Sequence, residues 1–287
     1  RTSRITGILN GTCNYILSQM EATGAAYGDA LSDAQRLGYA EADPTFDVGG
    51  FDAAHKLAIL AAIGFDAAVD FKAISISGIQ DITAEDINAA ARLNYRIRLL
   101  GIANRGETGI ELRVHPALID SDHALARATG PDNVVLFEGD PLGAIQLSGP
   151  GAGAGPTASA VAADLIGLAR GNGGPVFNAP VDRLRDLNVI DPDDQVSRFY
   201  LRITLRDVPG AIAAITDTTA KHEISIDSLL QPSVEAAGKK GTGVNDQATL
   251  VLTTHATTTA KMREVAREIS EKSFVAGIPS VIRIEDF

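Results

Sequence analysis

Apolar residues recur at helical spacing in the first third of the chain, and short apolar runs follow them. The three- and four-residue spacing of apolar positions predicts helices over residues 8–22, 28–37, 51–64 and 84–95. Runs bounded by turn residues predict strands over residues 96–103, 110–115, 133–138 and 142–147. This order favours an α+β fold in which helices cover one face of a mixed or antiparallel sheet.

The last ninety residues, 198–287, have a more compact pattern. It predicts a strand at 199–205, a helix at 210–221, strands at 224–231 and 247–254, a helix at 258–272 and a strand at 280–284. This βαββαβ order is ferredoxin-like. The turn Asp207-Val208-Pro209-Gly210 leads into the first of these helices. Residues 234–246, rich in Gly, Lys and Ala, are predicted to form a flexible hairpin loop.

Two breaks in composition divide the chain, at Gly171–Pro175 and at Asp191–Asp194. We expect a boundary near residue 197. The expected parts are a larger region at 1–171, a linker at 172–197 and the compact region at 198–287.

Composition and charge exclude several classes of protein. The 287 residues contain no apolar run approaching the 18 or more of a membrane span, so we expect no membrane partner. A net charge of −11 without a basic patch argues against nucleic acid or an anionic membrane as partner. Small metabolites and other proteins remain as candidate partners. Residues 1–20 lack a signal-peptide layout. The chain opens without Met in structured-looking sequence, as though cut inside a larger protein.

The single cysteine, Cys13, excludes an internal disulfide and a cysteine-built metal site, which fits a reducing cytoplasm. Its neighbours Thr12 and Asn14 offer no general base, so a buried structural thiol is favoured over a nucleophile. The five histidines have no metal-ligand spacing, and we expect no zinc or other metal.

Candidate chemistry is densest between residues 38 and 56, where four carboxylates precede Lys56. Asp52 and Lys56 are four positions apart on a predicted helix and therefore share a face. They could form an ordinary surface pair contributing about 0.3–0.5 kcal/mol. The almost wholly apolar stretch 53–63 instead indicates a buried helix with this pair at the edge of a core. Partial removal of water there would make Lys56 a better proton donor.

Three segments resemble the substrate domain of homoserine dehydrogenase in order and spacing: Gly7–Leu17, Gly38–Pro44 and Asp52–Leu57. Gly149–Thr157 resembles that family's glycine-rich return segment, and residues 198–287 resemble its C-terminal ACT regulatory domain. The resemblance implies NAD(P)-dependent interconversion of L-homoserine and L-aspartate-4-semialdehyde, on the route to threonine and methionine. It does not distinguish between NAD and NADP as the cofactor.

The resemblance also implies roles for particular residues. Lys56 would be the catalytic proton donor, and Asp52 would orient it. Glu41 would bind the α-ammonium of the substrate, with Asp47 as a second carboxylate nearby. The substrate pocket would be completed by Thr12, Gly11 and Tyr39.

The glycine segment precedes a predicted helix at 158–169, so Gly151 and Gly153 could lie against the cofactor at a helix N-terminus. A tight strand-to-helix turn is the alternative. The dinucleotide fingerprint G-x-G-x-x-G, set in a βαβ unit, is missing from the sequence. We therefore expect the nucleotide-binding domain to be absent from this chain, and little or no turnover by the chain alone.

The ACT resemblance implies an amino-acid effector, L-threonine, bound in a site lined by Asp207, Gly210, Ala211 and Ile212. A plain strand-to-helix turn is the alternative.

Two rival functions stay open. One is a non-catalytic amino-acid sensor, and the other is a related dehydrogenase acting on a different amino-acid aldehyde. The sheet region after residue 96 has no covering helices of its own, so we expect a homodimer or homotetramer.

Overall fold

The computed structural model describes residues 2–172, 174, 175, 177, 179–231 and 247–287. They form two compact units, Arg1–Ile190 and Asp191–Phe287. The hairpin loop predicted at 234–246 lies outside the described residues. No helix in the described ranges is both long and apolar enough to cross a membrane.

The expected linker at 172–197 is divided between the two units, and the boundary lies earlier than residue 197. Arg185–Asp186 forms a short parallel pair with Ala67–Ala68, and Val189 bridges Ile110. Backbone hydrogen bonds thus attach the first unit's last residues to its body. The Asp191-Pro192 break marks the boundary itself.

The predicted helices and strands of the first unit are present, with additions. Its helices are α1 Gly11–Thr23, α2 Tyr27–Arg36, α3 Thr45–Val48, α4 Phe51–Phe65, α5 Ala84–Arg92 and α6 Ala154–Ala169. Its strands are β1 Thr2–Ile8, β2 Ala67–Ala68, β3 Ser75–Ile76, β4 Tyr95–Arg105, β5 Ile110–Asp120, β6 Asp132–Gly139, β7 Gly143–Pro150 and β8 Arg185–Asp186.

The sheet of the first unit runs in the order β5-β4-β1-β6-β7, with antiparallel neighbours throughout. β3 joins β5 in parallel, so the sheet is mixed, as expected. β1 is not among the predicted strands, although it lies at the centre of the sheet. Its position matters for the site, because its last residue leads directly into Leu9 and Asn10.

Helix α4 packs on the sheet through small residues. Gly64 allows close approach, since a Cβ there would lie 2.6 Å from Ile5 Cδ1 of β1. Leu57 is fully buried, whereas Phe51, Ile59 and Ile63 are exposed. The expectation of a helix buried on all sides is therefore wrong for this chain. An apolar composition favours burial, but only the inner face of α4 is covered by the described residues.

The second unit has strands β9 Val196–Arg206, β10 Ile226–Leu230, β11 Gln247–Thr254, β12 Thr257–Thr258 and β13 Ser280–Glu285, with helices α7 Ala211–Lys221 and α8 Thr259–Ser270. Its antiparallel sheet runs β10-β11-β9-β13, which confirms the ferredoxin-like order. Alternate residues of β9 (Phe199, Leu201, Ile203 and Leu205) enter its core.

Candidate active site

Lys56 projects from the second turn of α4 and makes two hydrogen bonds. Its Nζ donates to Asp52 Oδ2 at 2.7 Å and to the Leu9 carbonyl at 3.0 Å. The Lys56 side chain is 44% exposed and that of Asp52 is 23% exposed. An ammonium has three hydrogens. Its third N–H therefore has no partner among the described residues and can donate to the oxygen of a ligand.

Asn10 connects this ion pair to a second carboxylate. Its Nδ2 donates to Asp52 Oδ2 and to Asp47 Oδ1, both at 2.8 Å. Asn10 is also the N-cap of α1, where its Oδ1 accepts from Cys13 N at 2.8 Å. Asn10 is not among the residues that the sequence predicts for the site. The first helix is predicted from residue 8, which places Asn10 inside it, and nothing local points to carboxylates 37 and 42 positions later.

The segment 38–44 lies over the N-terminus of α1. Thr12 Oγ1 donates to the Tyr39 carbonyl at 2.6 Å, and the Tyr39 ring lies 4.7 Å from that of Tyr15. Gln35 Nε2 donates to the Glu41 carbonyl at 3.0 Å. The structure thus brings Thr12 and Tyr39 together. The Glu41 carboxylate is exposed and makes no ion pair with Lys56 among the described residues.

Gly11 allows α1 to begin against the loop before β6, since a Cβ at this position would collide with the Pro131 carbonyl. In the same loop, the Gly130 carbonyl accepts from Asn14 Nδ2 at 2.9 Å. Asn133, in β6, donates to the Leu9 carbonyl at 3.2 Å. That carbonyl therefore accepts from both Asn133 and Lys56 and fixes the lysine relative to the sheet.

Cys13 is fully buried, and its Sγ donates to the Asp47 carbonyl at 3.2 Å. Burial raises the pKa of the thiol far above its ordinary range, and the charges of Asp47 and Asp52 raise it further. A thiol in this setting stays protonated and inert at neutral pH. The structure confirms the predicted buried structural thiol.

Comparisons with known proteins identify the family of this chain. The homoserine dehydrogenase family model matches residues 1–166. A homoserine dehydrogenase from Synechocystis sp. is 43% identical over 295 residues, covering 99% of this chain and 66% of the relative. The chain belongs to the homoserine dehydrogenase family.

Solved homoserine dehydrogenases have the same fold. A crystal structure of the enzyme from Thiobacillus denitrificans superposes with a TM-score of 0.90 at 42% identity, covering 100% of this chain and 64% of that one. A hyperthermophilic archaeal homoserine dehydrogenase solved in complex with NADPH matches 59% of this chain and 48% of its own, with a TM-score of 0.50 at 29% identity. The chain spans just under two thirds of the length of the curated relatives that it matches.

In the glycine segment that resembles the homoserine dehydrogenase return segment, local structure explains why two positions are glycine. Gly153 is the N-cap of α6 and has a φ of 103°, which disfavours any other residue. Gly151 packs directly on the Asn133 amide. None of the residues of α6 is buried, and no acidic residue lies in its first turn. The exposed N-terminus of this 16-residue helix therefore fits an anionic group.

A doubly wound parallel sheet, the usual dinucleotide scaffold, is absent from the described part of this homoserine dehydrogenase family member. The parallel strand pairs found there are the short β2–β8 and β3–β5. No group of three or more His, Cys, Asp or Glu side chains in the described ranges could hold a metal ion.

The residues expected to line an effector site lie around the turn into α7. Gly210 caps the helix with a φ of 87°, while Asp207 and Ile212 are exposed. Ala211 is different, because its side chain is buried in the core of the second unit. Its side chain therefore does not lie at the surface of the turn with those of Asp207 and Ile212.

A cleft of about 1030 Å³ in the first unit lies away from this site. It is lined by the start of β1, the β4–β5 turn and the β6–β7 turn, including Ser3, Arg105 and Glu138. Lys56 lies instead beside the end of β1. The cleft contains neither Lys56 nor Asp52, and the hydrogen bonds of Lys56 locate the candidate chemistry better than cavity size does.

Proposed function

We propose that this chain forms the substrate-binding and catalytic part of a homoserine dehydrogenase. The reaction is the NAD(P)-linked interconversion of L-homoserine and L-aspartate-4-semialdehyde, a step in threonine and methionine biosynthesis. The observation that carries this proposal is the Lys56 ammonium, held by Asp52 and the Leu9 carbonyl with one N–H left for a ligand.

Lys56 acts as the general acid and base. In the reducing direction its third N–H donates to the aldehyde oxygen and delivers the proton as negative charge develops there. In the oxidising direction the amine accepts the hydroxyl proton of homoserine. Asp52 orients the ammonium in both directions. A bound nicotinamide dinucleotide supplies or accepts the hydride.

The carboxylates next to Lys56 suit a cationic group on the substrate. Asp47 and the exposed Glu41 carboxylate are proposed to bind its α-ammonium. The backbone around Gly11 and Tyr39, held by the Thr12 hydroxyl, forms the wall of the pocket. These groups come from α1, α3, α4 and the segment before α3, so a substrate bound here would contact several elements at once.

We propose that this chain holds only part of the cofactor, at the α6 N-terminus formed by Gly151 and Gly153. The archaeal relative binds NADPH, but no doubly wound sheet is present in the described ranges. The 287-residue chain alone should therefore give little or no turnover. Fluorescence titration with NADPH is the test, and micromolar affinity for the chain alone would contradict this proposal.

The substrate is tested by assaying the complete protein that contains this sequence. L-Homoserine should support NAD(P)H formation, and L-aspartate-4-semialdehyde should support the reverse. Other amino-acid aldehydes should have a lower kcat/KM, because their side chains place the carbonyl at a different distance from the α-ammonium. Equal or higher kcat/KM for another aldehyde would favour the related-dehydrogenase alternative.

We further propose that residues 198–287 form an ACT regulatory domain that binds L-threonine. The supporting observation is the βαββαβ order together with the Gly210 turn into α7. Asp207, Gly210 and Ile212 are the proposed lining residues. Calorimetry of the chain with L-threonine should detect binding that Asp207→Ala weakens, whereas no binding at millimolar concentration would contradict it. A protein that acts only as an amino-acid sensor would bind threonine but leave homoserine unchanged.

Self-association is proposed through β7, the outer strand of the first unit's described sheet. Ile145 and Leu147 are exposed on it, and Gly143–Pro150 contains no charged residue. An uncharged edge of this length pairs readily with a second copy. Analytical ultracentrifugation should detect a homodimer or homotetramer that Leu147→Lys weakens. A monomer at micromolar concentration would contradict this self-association.

A cytoplasmic location remains a prediction.

A further inference from the structure

The side-chain amide of Asn10 donates to carboxylates on two helices and caps the start of a third helix. Asn10 precedes α1, Asp47 lies on α3 and Asp52 lies on α4. We propose that Asn10 is a positioning residue, which fixes Asp47 and Asp52 relative to each other and thereby aims Lys56. This inference rests on the proposed function, because it concerns the geometry of that same site.

The orientation of the Asn10 amide follows from its neighbours. One end faces two carboxylate oxygens, and the other end faces the backbone N–H of Cys13. A flipped amide would place its oxygen against two acceptors and its NH2 group against a donor. The observed orientation is therefore the one that satisfies all three contacts, at a residue that is 5% exposed.

The amide also separates two like charges. Asp47 Oδ1 and Asp52 Oδ2 each lie 2.8 Å from the same nitrogen, so their negative charges are close. Each oxygen receives one N–H, and Asp52 Oδ2 also receives the ammonium of Lys56. Hydrogen bonds to charged groups are stronger than neutral ones. Without the amide, repulsion between the carboxylates would turn Asp52 away from the geometry that holds Lys56.

Capping alone does not account for asparagine at this position. The cap uses only Oδ1, and Ser serves equally well as an N-cap. The two N–H donors are the additional feature of Asn10. A serine hydroxyl has one donor and a shorter side chain, so Asn10→Ser keeps a cap and loses the connection to the two carboxylates.

The first test is the kinetics of Asn10→Ser in the complete protein. We expect kcat for homoserine oxidation to fall about 10- to 100-fold, since a displacement near 1 Å can cost about 10²-fold. KM for homoserine should rise as well, because Asp47 is displaced along with Asp52. The thermal midpoint should stay close to that of the wild type. Unchanged kcat and KM would overturn the proposal and leave Asn10 as a cap only.

Two matched variants separate capping from positioning. Asn10→Ala removes both roles, so it should lower kcat and also the thermal midpoint. Thr258→Ala removes the side-chain cap of α8 in the second unit. It should lower stability with kcat unchanged. If Thr258→Ala lowered kcat as much as Asn10→Ala, loss of a helix cap would explain both effects, and the proposal would fail.

A second readout does not depend on activity. In the 287-residue chain, nuclear magnetic resonance should find both side-chain amide protons of Asn10 shifted downfield and protected from exchange with water. Asp47→Asn and Asp52→Asn should each return the chemical shift and the exchange rate of one of these protons toward ordinary values. Rapid exchange of both protons would overturn the positioning role. Protected protons in a protein that does not oxidise homoserine would instead count against the proposed function alone.

Discussion

Lys56 Nζ lies 2.7 Å from Asp52 Oδ2, one turn earlier on α4, and the same oxygen accepts from Asn10. A half-exposed ion pair of this kind contributes roughly 0–1 kcal/mol to stability. Its importance is therefore geometric, because Asp52 fixes the direction in which the remaining N–H of Lys56 points.

Asp52→Asn tests this relationship. The amide keeps the size of the side chain but removes the charge that orients Lys56, so kcat of the complete enzyme should fall about 10- to 100-fold with the fold retained. Steady-state kinetics and circular dichroism measure the two effects. The control is Glu271→Gln, which neutralises the exposed i,i+4 pair with Arg267 on α8. Equal activity of both variants and the wild type would remove Asp52 from the mechanism.

Cys13 provides a probe of local opening beside the site. It is the single cysteine of the chain, and burial raises its pKa far above the usual range. The thiol should therefore react slowly with iodoacetamide at pH 8, at a rate set by opening of α1. Labelling followed by mass spectrometry measures this rate. Reaction within minutes in the native chain, as fast as in urea, would contradict the buried position.

Arg98 stabilises the loop on which α1 begins. Its side chain is fully buried and donates to the Ala126 and Ala128 carbonyls and to Glu21. Arg98→Ala leaves buried acceptors unpaired and should destabilise the chain by about 3–5 kcal/mol, measured by urea unfolding. Arg96 binds the same Glu21 but is 35% exposed, so Arg96→Ala should cost only about 0–1 kcal/mol. Equal costs would contradict the role assigned to burial.

Glu268 should make the second unit acid-sensitive. Hydrogen bonds from His222 and Lys221 lower the pKa of its carboxyl from 4.5 to about 2. A lowered pKa in the folded state adds stability above pH 4.5, which is lost as pH falls toward 2. Glu268→Gln should therefore be less stable than the wild type at pH 6 and nearly equal to it at pH 2. Chemical unfolding at both pH values tests this, and an equal difference at both would contradict it.

Much of the fold could be predicted from the sequence because its elements have clear periodicity. In the second unit, the alternation in β9 and the turn at Asp207–Gly210 indicate a strand that is followed by a helix. β1 is central but is not predicted, because Ile5 and Ile8 are its only large apolar residues and form neither an apolar run nor an alternating pattern. The exposed face of α4 was also missed, since composition indicates that a helix is apolar but not which of its faces are covered.

The candidate site was predictable only where chemistry and spacing coincide. Asp52 and Lys56 share one helix, so their contact follows from four-residue spacing. The connection from Asn10 to Asp47 and Asp52 spans about forty positions and arises from tertiary packing alone. Ala211 likewise enters the core through the packing of α7 on β9, which local sequence did not reveal.

The measurement that tests the central claim most directly is homoserine oxidation by Lys56→Ala in the complete protein. Loss of the general acid and base should lower kcat roughly 10²- to 10⁴-fold, with an unchanged circular dichroism spectrum. Lys72→Ala, which removes an exposed lysine outside the site, should behave like the wild type. A Lys56→Ala enzyme with kcat within twofold of the wild type would contradict the account.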